Sequence, residues 1–570
     1  MSTECIPIAT LPHTTRLFRD FLAMGESANS PVRAWYGAEP FGSEWMKPAA
    51  ASTHSTALAD ALERQSRASG AGPATLANIA KLRNGARVIV TGQQVVLLGG
   101  PLLTLLKAAT AVARARQATA ATGIEHVPVF WLATEDHDLE EVDQVSLLSK
   151  NAVETLRMGD MRFPRIAMPA GDVILQGRID GLLDQASELL HHASICNLLR
   201  ECYAYQPAND NGPTFASAFA RLMTHLFAAH GLIAMDAAGR EFHALGASTL
   251  RFAIEHAEEL EAALLARTAE LEAAGYHAQV LVKPGASLLF LISGVDGNPS
   301  DGIPGVKNRQ ALHHLPDGSW QAGAGSSATS YTTAELLAIL DSAPERLSPN
   351  ALLRAVFQDT ILPTTATIGG PAEVAYFAQS AALYQRILGR ITPILPRLSA
   401  TLIEPSIGAI MAQHEVALPD AMRSAEELAQ RLGARALPSE ATRRLADAGN
   451  ALDEALTAAH DYFAALDASL ARSAEVSASK MRYQMDRMRR LAATFELQRE
   501  ASLRKHAEAM TLHLFPNGHL QERVLAGVWF LAAWEFAHGS APDSALGAGL
   551  LARLVEEAAS QQPGHLVIRM

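Results

Sequence analysis

Two apolar stretches, residues 86–90 with Arg87 as the one exception and residues 127–133, separated by one stretch of helical spacing, constrain this chain more than any other feature. A strand that is apolar at every position must be covered on both faces, and such strands belong to parallel sheets with helices packed above and below. Between the two, Leu102, Leu105, Leu106, Ala109 and Val112 recur on one helical face, with Pro101 read into the first turn, where its missing N–H costs nothing. This βαβ rhythm predicts a doubly wound α/β core. Residues 231–235 and 287–293 read as further buried strands.

Both opening strands run into polar clusters, Thr91-Gly92-Gln93-Gln94 and Glu135-Asp136-His137-Asp138. Open α/β sheets bind ligands at the carboxyl ends of their strands, so the two clusters together read as an active site. Gln93 and Gln94 can each donate and accept hydrogen bonds, and Gly92 lets backbone come close. Three carboxylates around His137 suit a general base, an ammonium clamp or a magnesium site. Asp138, Glu140 and Glu141 have a blander reading as the caps and first-turn acids of a helix. Farther on, Asn350, Arg354 and Gln358 share one helical face, followed by Asp359. Gly369-Gly370-Pro371, opening another helix, would offer free backbone N–H groups to an anion, with Arg354 as the carboxylate or phosphate fork. A plain structural turn is the alternative there.

At 570 residues the chain exceeds a single core and should hold two or three domains. Its net charge of −12 argues against nucleic acid as a partner. Three cysteines, Cys5, Cys196 and Cys202, show neither a disulfide framework nor metal-type spacing. No signal-like or membrane-spanning run is present, and a cytoplasmic protein is expected. Phosphate-loop, His-Glu-x-x-His and Gly-x-Ser-x-Gly signatures are absent. Residues 294–330 read as an extended loop region, and the relaxed dinucleotide fingerprint at 323–328 is discounted because no strand precedes it.

From about Pro419 to Leu514 the composition turns to Ala, Leu, Glu and Arg, with no glycine between Asn450 and Asn517. Leu445, Leu452, Ala459 and Leu466 repeat every seven residues, and Leu456, Phe463 and Leu470 complete a seam, as in a coiled-coil or helical-hairpin arm. Met485, Met488, Ala492 and Phe495 mark a face of a second helix. Such an arm serves dimerisation, or else forms a hairpin within one chain. The basic stretch from Lys480 to Arg490 is either a phosphate contact or a solvated face.

In this order, several motifs resemble those of the BshC family, the cysteine ligases of bacillithiol biosynthesis. They are Leu11-Pro12 with Arg16-Leu17; Thr91-Gly92-Gln93-Gln94 with Gly100-Pro101-Leu102 and Lys107; Pro128-Val129-Phe130-Trp131 leading into Glu135-Asp136-His137-Asp138; Gly369-Gly370-Pro371 with Glu373 and Tyr376; and Leu514-Phe515-Pro516-Asn517-Gly518 with Leu520-Gln521-Glu522-Arg523. The pattern departs from the family's at Val95-Val96, Gly99 and Phe377. The resemblance implies a Rossmann-like core over residues 1–415, with connecting insertions at roughly 150–225 and 294–345. It also implies a coiled-coil arm over 416–512 that pairs two subunits, and here a segment over 513–570 is expected to fold back on the body.

The implied activity joins L-cysteine, through an amide with the malate carboxyl, to glucosaminyl-malate, with an adenine nucleotide (ATP or ADP) held near the arm and magnesium as a candidate ion. On that reading Asp136 and His137, with Glu135 and Asp138, receive the cysteine amine and remove its proton. Gln93, Gln94, Gly92, Lys107, Arg354, Gly370 and Glu373 hold the sugar-malate ligand and its carboxyl. Lys480, Asn517 and Arg523 border the nucleotide, and no metal ligands are assigned. A metabolite-binding scaffold and a nucleotidyl transferase acting on a small polar substrate are the alternatives.

Overall fold

The computed structural model describes residues 3–27, 30–47, 55–159, 167–175, 177, 179–204, 212–294, 307–323, 328–539 and 546–570. Five parallel strands form the centre: β1 (Arg87–Gln93), β2 (His126–Leu132), β3 (Ile233–Asp236), β4 (Thr364–Gly369) and β5 (Ile394–Pro396), in the spatial order β5-β4-β1-β2-β3. The chain moves outward from β1 to β3 and then returns to the far side of β1. The strand order therefore reverses between β1 and β4, which is where a doubly wound sheet opens a crevice.

Burial on both faces explains the apolar strands. Along β2, Phe130 and Leu132 enter one core with helix α1 (Leu103–Thr122), while Val127, Val129 and Trp131 enter the other. Pro101 lies two residues before α1 and not in its first turn; it makes a bridge to Ala526 instead. Helix α2 (Ala351–Ile361) leads into β4, and helix α3 (Pro371–Leu388) leaves it.

A second, antiparallel sheet lies beside the first, with strands Thr329–Tyr331, Trp320–Ala322, Asn308–His314, Ala286–Ser293 and Leu347–Pro349 in that order. Residues 287–293 thus form a strand, but of this sheet. The reading of 294–330 as loop is corrected: two strands and the start of a third occupy its described part. Polar residues at both ends of Asn308–His314, the Asp317-Gly318-Ser319 turn and the three-residue length of Trp320–Ala322 break up the period that marks a strand. Residues 295–306, and 324–327 of the discounted fingerprint, fall outside the described residues.

The arm is a hairpin of α4 (Ser439–Leu466) and α5 (Ala468–Arg499), turned at Asp467, whose carboxylate caps α5 by accepting from Ser469 N at 2.7 Å. Leu445, Leu452 and Leu456 are half-buried along α4, whereas Phe463, Leu466 and Leu470 near the tip are exposed. On α5, Met485 is buried but Met488 and Phe495 are exposed, so that face is split. Strand His565–Arg569 lies between Thr3–Ile6, antiparallel, and Ala400–Ile403, parallel, and Val567 shares a hydrophobic cluster with Leu497 at the base of the arm.

Candidate active site

A cavity of about 630 Å³ opens over the carboxyl ends of β1, β2 and β4. Gly92 is needed where β1 runs closest to β2, since a Cβ there would lie 2.9 Å from the Trp131 carbonyl oxygen. Gln93 and Gln94 follow it into the cavity wall. Gln94 Nε2 donates to Asp136 Oδ2 at 2.6 Å, joining the two polar clusters across the strand gap. Gln94 Oε1 is buried and has no hydrogen-bond partner among the described residues, so an acceptor stands unused beside a carboxylate. Asp136 Oδ1 also accepts from the His137 backbone N–H at 2.8 Å. Burial favours the neutral acid at Asp136, but Gln94, Arg309 and the His137 amide outweigh it and hold the carboxyl below its ordinary range.

The floor of the cavity is an ion pair. Lys107, on α1, is 2 % exposed and bonds Glu373 of α3, the Gly92 carbonyl at 2.9 Å and Gln93 Oε1 at 2.6 Å. Burial lowers the Lys107 ammonium from its usual value, with Glu373 acting against that shift. Burial also penalises the Glu373 carboxylate, yet the Lys107 charge and hydrogen bond dominate and bring it to about 2. Glu373 Oε2 accepts from Gly370 N at 2.9 Å. The amide expected to meet an anion at Gly370 is therefore taken by the helix's own cap.

Other expected residues separate by role. Asp138 caps helix Leu139–Val142, accepting from Glu141 N at 3.3 Å, and does not line the cavity. Glu135 reaches the cavity but lies 3.0 Å from Nε2 of the fully buried His243. Asn350 caps α2, accepting from Leu352 N and Leu353 N, both at 3.0 Å. Arg354 lines the cavity and donates to the Tyr376 hydroxyl at 3.3 Å; burial raises that phenol to about 12. Glu141 also lines it, its carboxyl raised by burial and then by Asp138 and Asp136.

Comparison with known proteins decides the family. The N-terminal Rossmann-like domain of "Bacillithiol biosynthesis BshC" matches residues 1–398, and its C-terminal coiled-coil domain matches 400–537. The chain belongs to the BshC family. A relative from Koribacter versatilis, named "Putative cysteine ligase BshC", is 41% identical over 100% of both chains. Relatives of the same name from Solibacter usitatus and Symbiobacterium thermophilum are 33% and 30% identical, covering 93% and 88% of this chain and 95% and 87% of their own.

In this BshC family member, the residues expected at a nucleotide do not gather in one place. Lys480 is exposed on α5 of the arm, where the neighbouring Arg482 is engaged by Asp453 and Glu475. Arg523 lines the main cavity and also a neighbouring one of about 290 Å³, walled by Leu11, Pro12, His13, Phe18, His519 and Leu520. Asn517 is exposed in the turn just before His519. Two further arginines were not anticipated. Arg397 is buried against Glu522 at 2.6 Å, and Arg309, from the antiparallel sheet, reaches across to His137. Neither carries a local sequence signal; Arg309 sits in a strand whose Asn-Arg-Gln start looks like loop.

Proposed function

We propose that this protein joins cysteine to glucosaminyl-malate by an amide bond, the last step of bacillithiol biosynthesis; the relatives' name supports the cysteine and the ligase chemistry, and the acceptor is the one the family resemblance implies. One observation carries the reading: the cavity has an amine-accepting side and an anion-accepting side. Asp136 and the unpaired Gln94 Oε1 offer only acceptors, as a ligand ammonium requires. Among the described residues Arg354 and Arg523 line the same cavity without a carboxylate partner, as a ligand with two carboxylates requires.

This charge pattern favours a polarity opposite to the one expected from sequence. Malate's carboxylates, held by Arg354 and Arg523, stay as anchors, and the glucosamine nitrogen is placed at Asp136. The bound ammonium first gives up one proton to solvent, and the free amine then bonds to the carboxyl carbon of cysteine as the bond from that carbon to its activating phosphate breaks. Nitrogen becomes strongly acidic as the bond forms, so even the weakly basic Asp136 carboxylate can receive its proton. ATP supplies the activation. Magnesium would arrive with its phosphates, since no group of three or more His, Cys, Asp or Glu side chains among the described residues could hold a metal.

The arm extends the proposal to a homodimer. Tyr462, Phe463, Leu466 and Leu470 are exposed together near its tip, which suits the face of a second copy. Among the described residues no helix is long and apolar enough to cross a membrane, in keeping with a cytoplasmic enzyme.

Mass spectrometry of a reaction holding cysteine, glucosaminyl-malate and ATP tests the function. The expected product is the amide, with AMP or ADP identifying the activated species. N-acetylglucosaminyl-malate should be inert; a product from it would restore the malate carboxyl as the acylated group, and no product from either would remove the ligase.

A further inference from the structure

Arg309 enters the cavity from outside the central sheet and is fixed on every side. It is 7 % exposed, its guanidinium lies 3.7 Å from the Phe290 ring centroid, Nε donates to Ser348 Oγ at 3.3 Å and Nη2 to the Pro349 carbonyl at 3.1 Å. The remaining nitrogen, Nη1, lies 3.1 Å from His137 Nδ1 and 3.9 Å from Asp136 Oδ1.

Arginine offers donors only. A histidine that meets it through Nδ1 must present a lone pair there and so carries its single proton on Nε2. We propose that Arg309 is a positioning residue that locks His137 as the neutral Nε2–H tautomer, so that His137 serves amide formation as a hydrogen-bond donor to the developing oxyanion and not as the base. The proposal deepens the ligase reading and rests on it for the chemical step. Neutral imidazole is a recognised electrophilic partner of a carbonyl oxygen, and a rigid donor aimed at developing charge is among the larger contributions an enzyme can make. Charges around the ring agree. Burial disfavours the imidazolium first and Arg309 next, against Asp136 and Asp138 from the same loop, and the balance lowers the His137 pKa.

The tautomer can be read without turnover. In the full-length protein carrying ring-15N histidine, with the His137 signals assigned by their loss in His137→Asn, the wild type should show the Nε2–H form at neutral pH and a midpoint below the ordinary value of about 6.5. Arg309→Met, which removes the donor, should give mixed tautomers and a midpoint above that of the wild type, and Arg309→Lys, which keeps a donor, should return the single form. A wild-type His137 protonated on Nδ1, or titrating near its ordinary value, overturns the proposal whether or not Arg309→Met folds. An unchanged tautomer in a folded Arg309→Met does the same.

Ligation separates donor from base. His137→Gln sets an amide N–H near the Nε2 position and should stay within about tenfold of wild type. His137→Asn should lose on the order of 10²–10³-fold, as when an oxyanion donor is removed. Equal loss in both ends the donor role. Absence of ligation in the wild type would strike the ligase reading alone, because the tautomer measurement stands apart from it.

Discussion

Single side chains at the cavity floor carry both stability and specificity. Lys107 is buried and its partner Glu373 is 24 % exposed, and since removing one partner of a fully buried pair costs about 3–5 kcal/mol, the loss here should fall near the lower end of that range. Lys107→Met should therefore lower the urea midpoint strongly, and Lys107→Met combined with Glu373→Met should recover most of the loss. A Lys107→Met protein as stable as wild type would mean that the pair is open to water. The unpaired arginines act on binding instead. Arg354→Gln and Arg523→Gln should each raise KM for the sugar-malate substrate by roughly 10- to 100-fold, the worth of one charge-assisted hydrogen bond, and leave KM for cysteine near its starting value. A rise confined to cysteine would assign the arginines to the other substrate. At this scale the sequence was half legible. Gln94 and Asp136 were found because each follows a strand, whereas Arg309 and Arg397 arrive from distant segments, and nothing local distinguishes a buried arginine from a surface one.

Elements were more legible where burial imposes a period. β1 and β2 announce themselves by the apolar runs Val88–Val90 and Val127–Leu132, and α4 and α5 by long stretches free of glycine and proline. The antiparallel sheet was legible only at Ala286–Ser293: Asn308–His314 opens on Asn-Arg-Gln and ends on His-His, and the remaining strands are three residues long. The arm's heptads marked an apolar seam without saying what meets it: half of that seam closes within the hairpin, and the part near the tip does not. Sedimentation should give two subunits per particle, and Leu466→Asp with Leu470→Asp should give soluble monomers; a monomeric wild type would refute pairing through the arm. Strand His565–Arg569 carries a pH sensitivity. His565 is fully buried between Ser399 Oγ and Thr401 Oγ1, both at 2.8 Å, and burial brings its pKa from 6.5 to about 4. A folded-state value below the unfolded one means that the stability contribution is complete above 6.5 and is lost as pH falls towards 4. The loss should be on the order of 3 kcal/mol over that window, and thermal melts of His565→Gln should show a flatter slope there.

Across the whole molecule, one cavity is assembled from segments far apart in the chain: two neighbouring strands of the central sheet, an arginine from a second sheet, and Arg523 from beyond the arm. The hydrophobic pattern foretold the sheet, but no local pattern could foretell this convergence, since it depends on how separate layers dock. Removing residues 565–570 should leave Ile6 and Ala400–Ile403 without their partner strand, and the shortened chain should be insoluble or lose its cooperative melt; a normal melt would show that this strand is dispensable. The middle strand of that small sheet is made by the ribosome long after both of its neighbours. Until it emerges, two hydrogen-bonding edges stand open to any passing extended segment, so the nascent polypeptide should lean on holding chaperones until residues 565–569 appear and should be most prone to clumping when elongation stalls between Ile403 and His565.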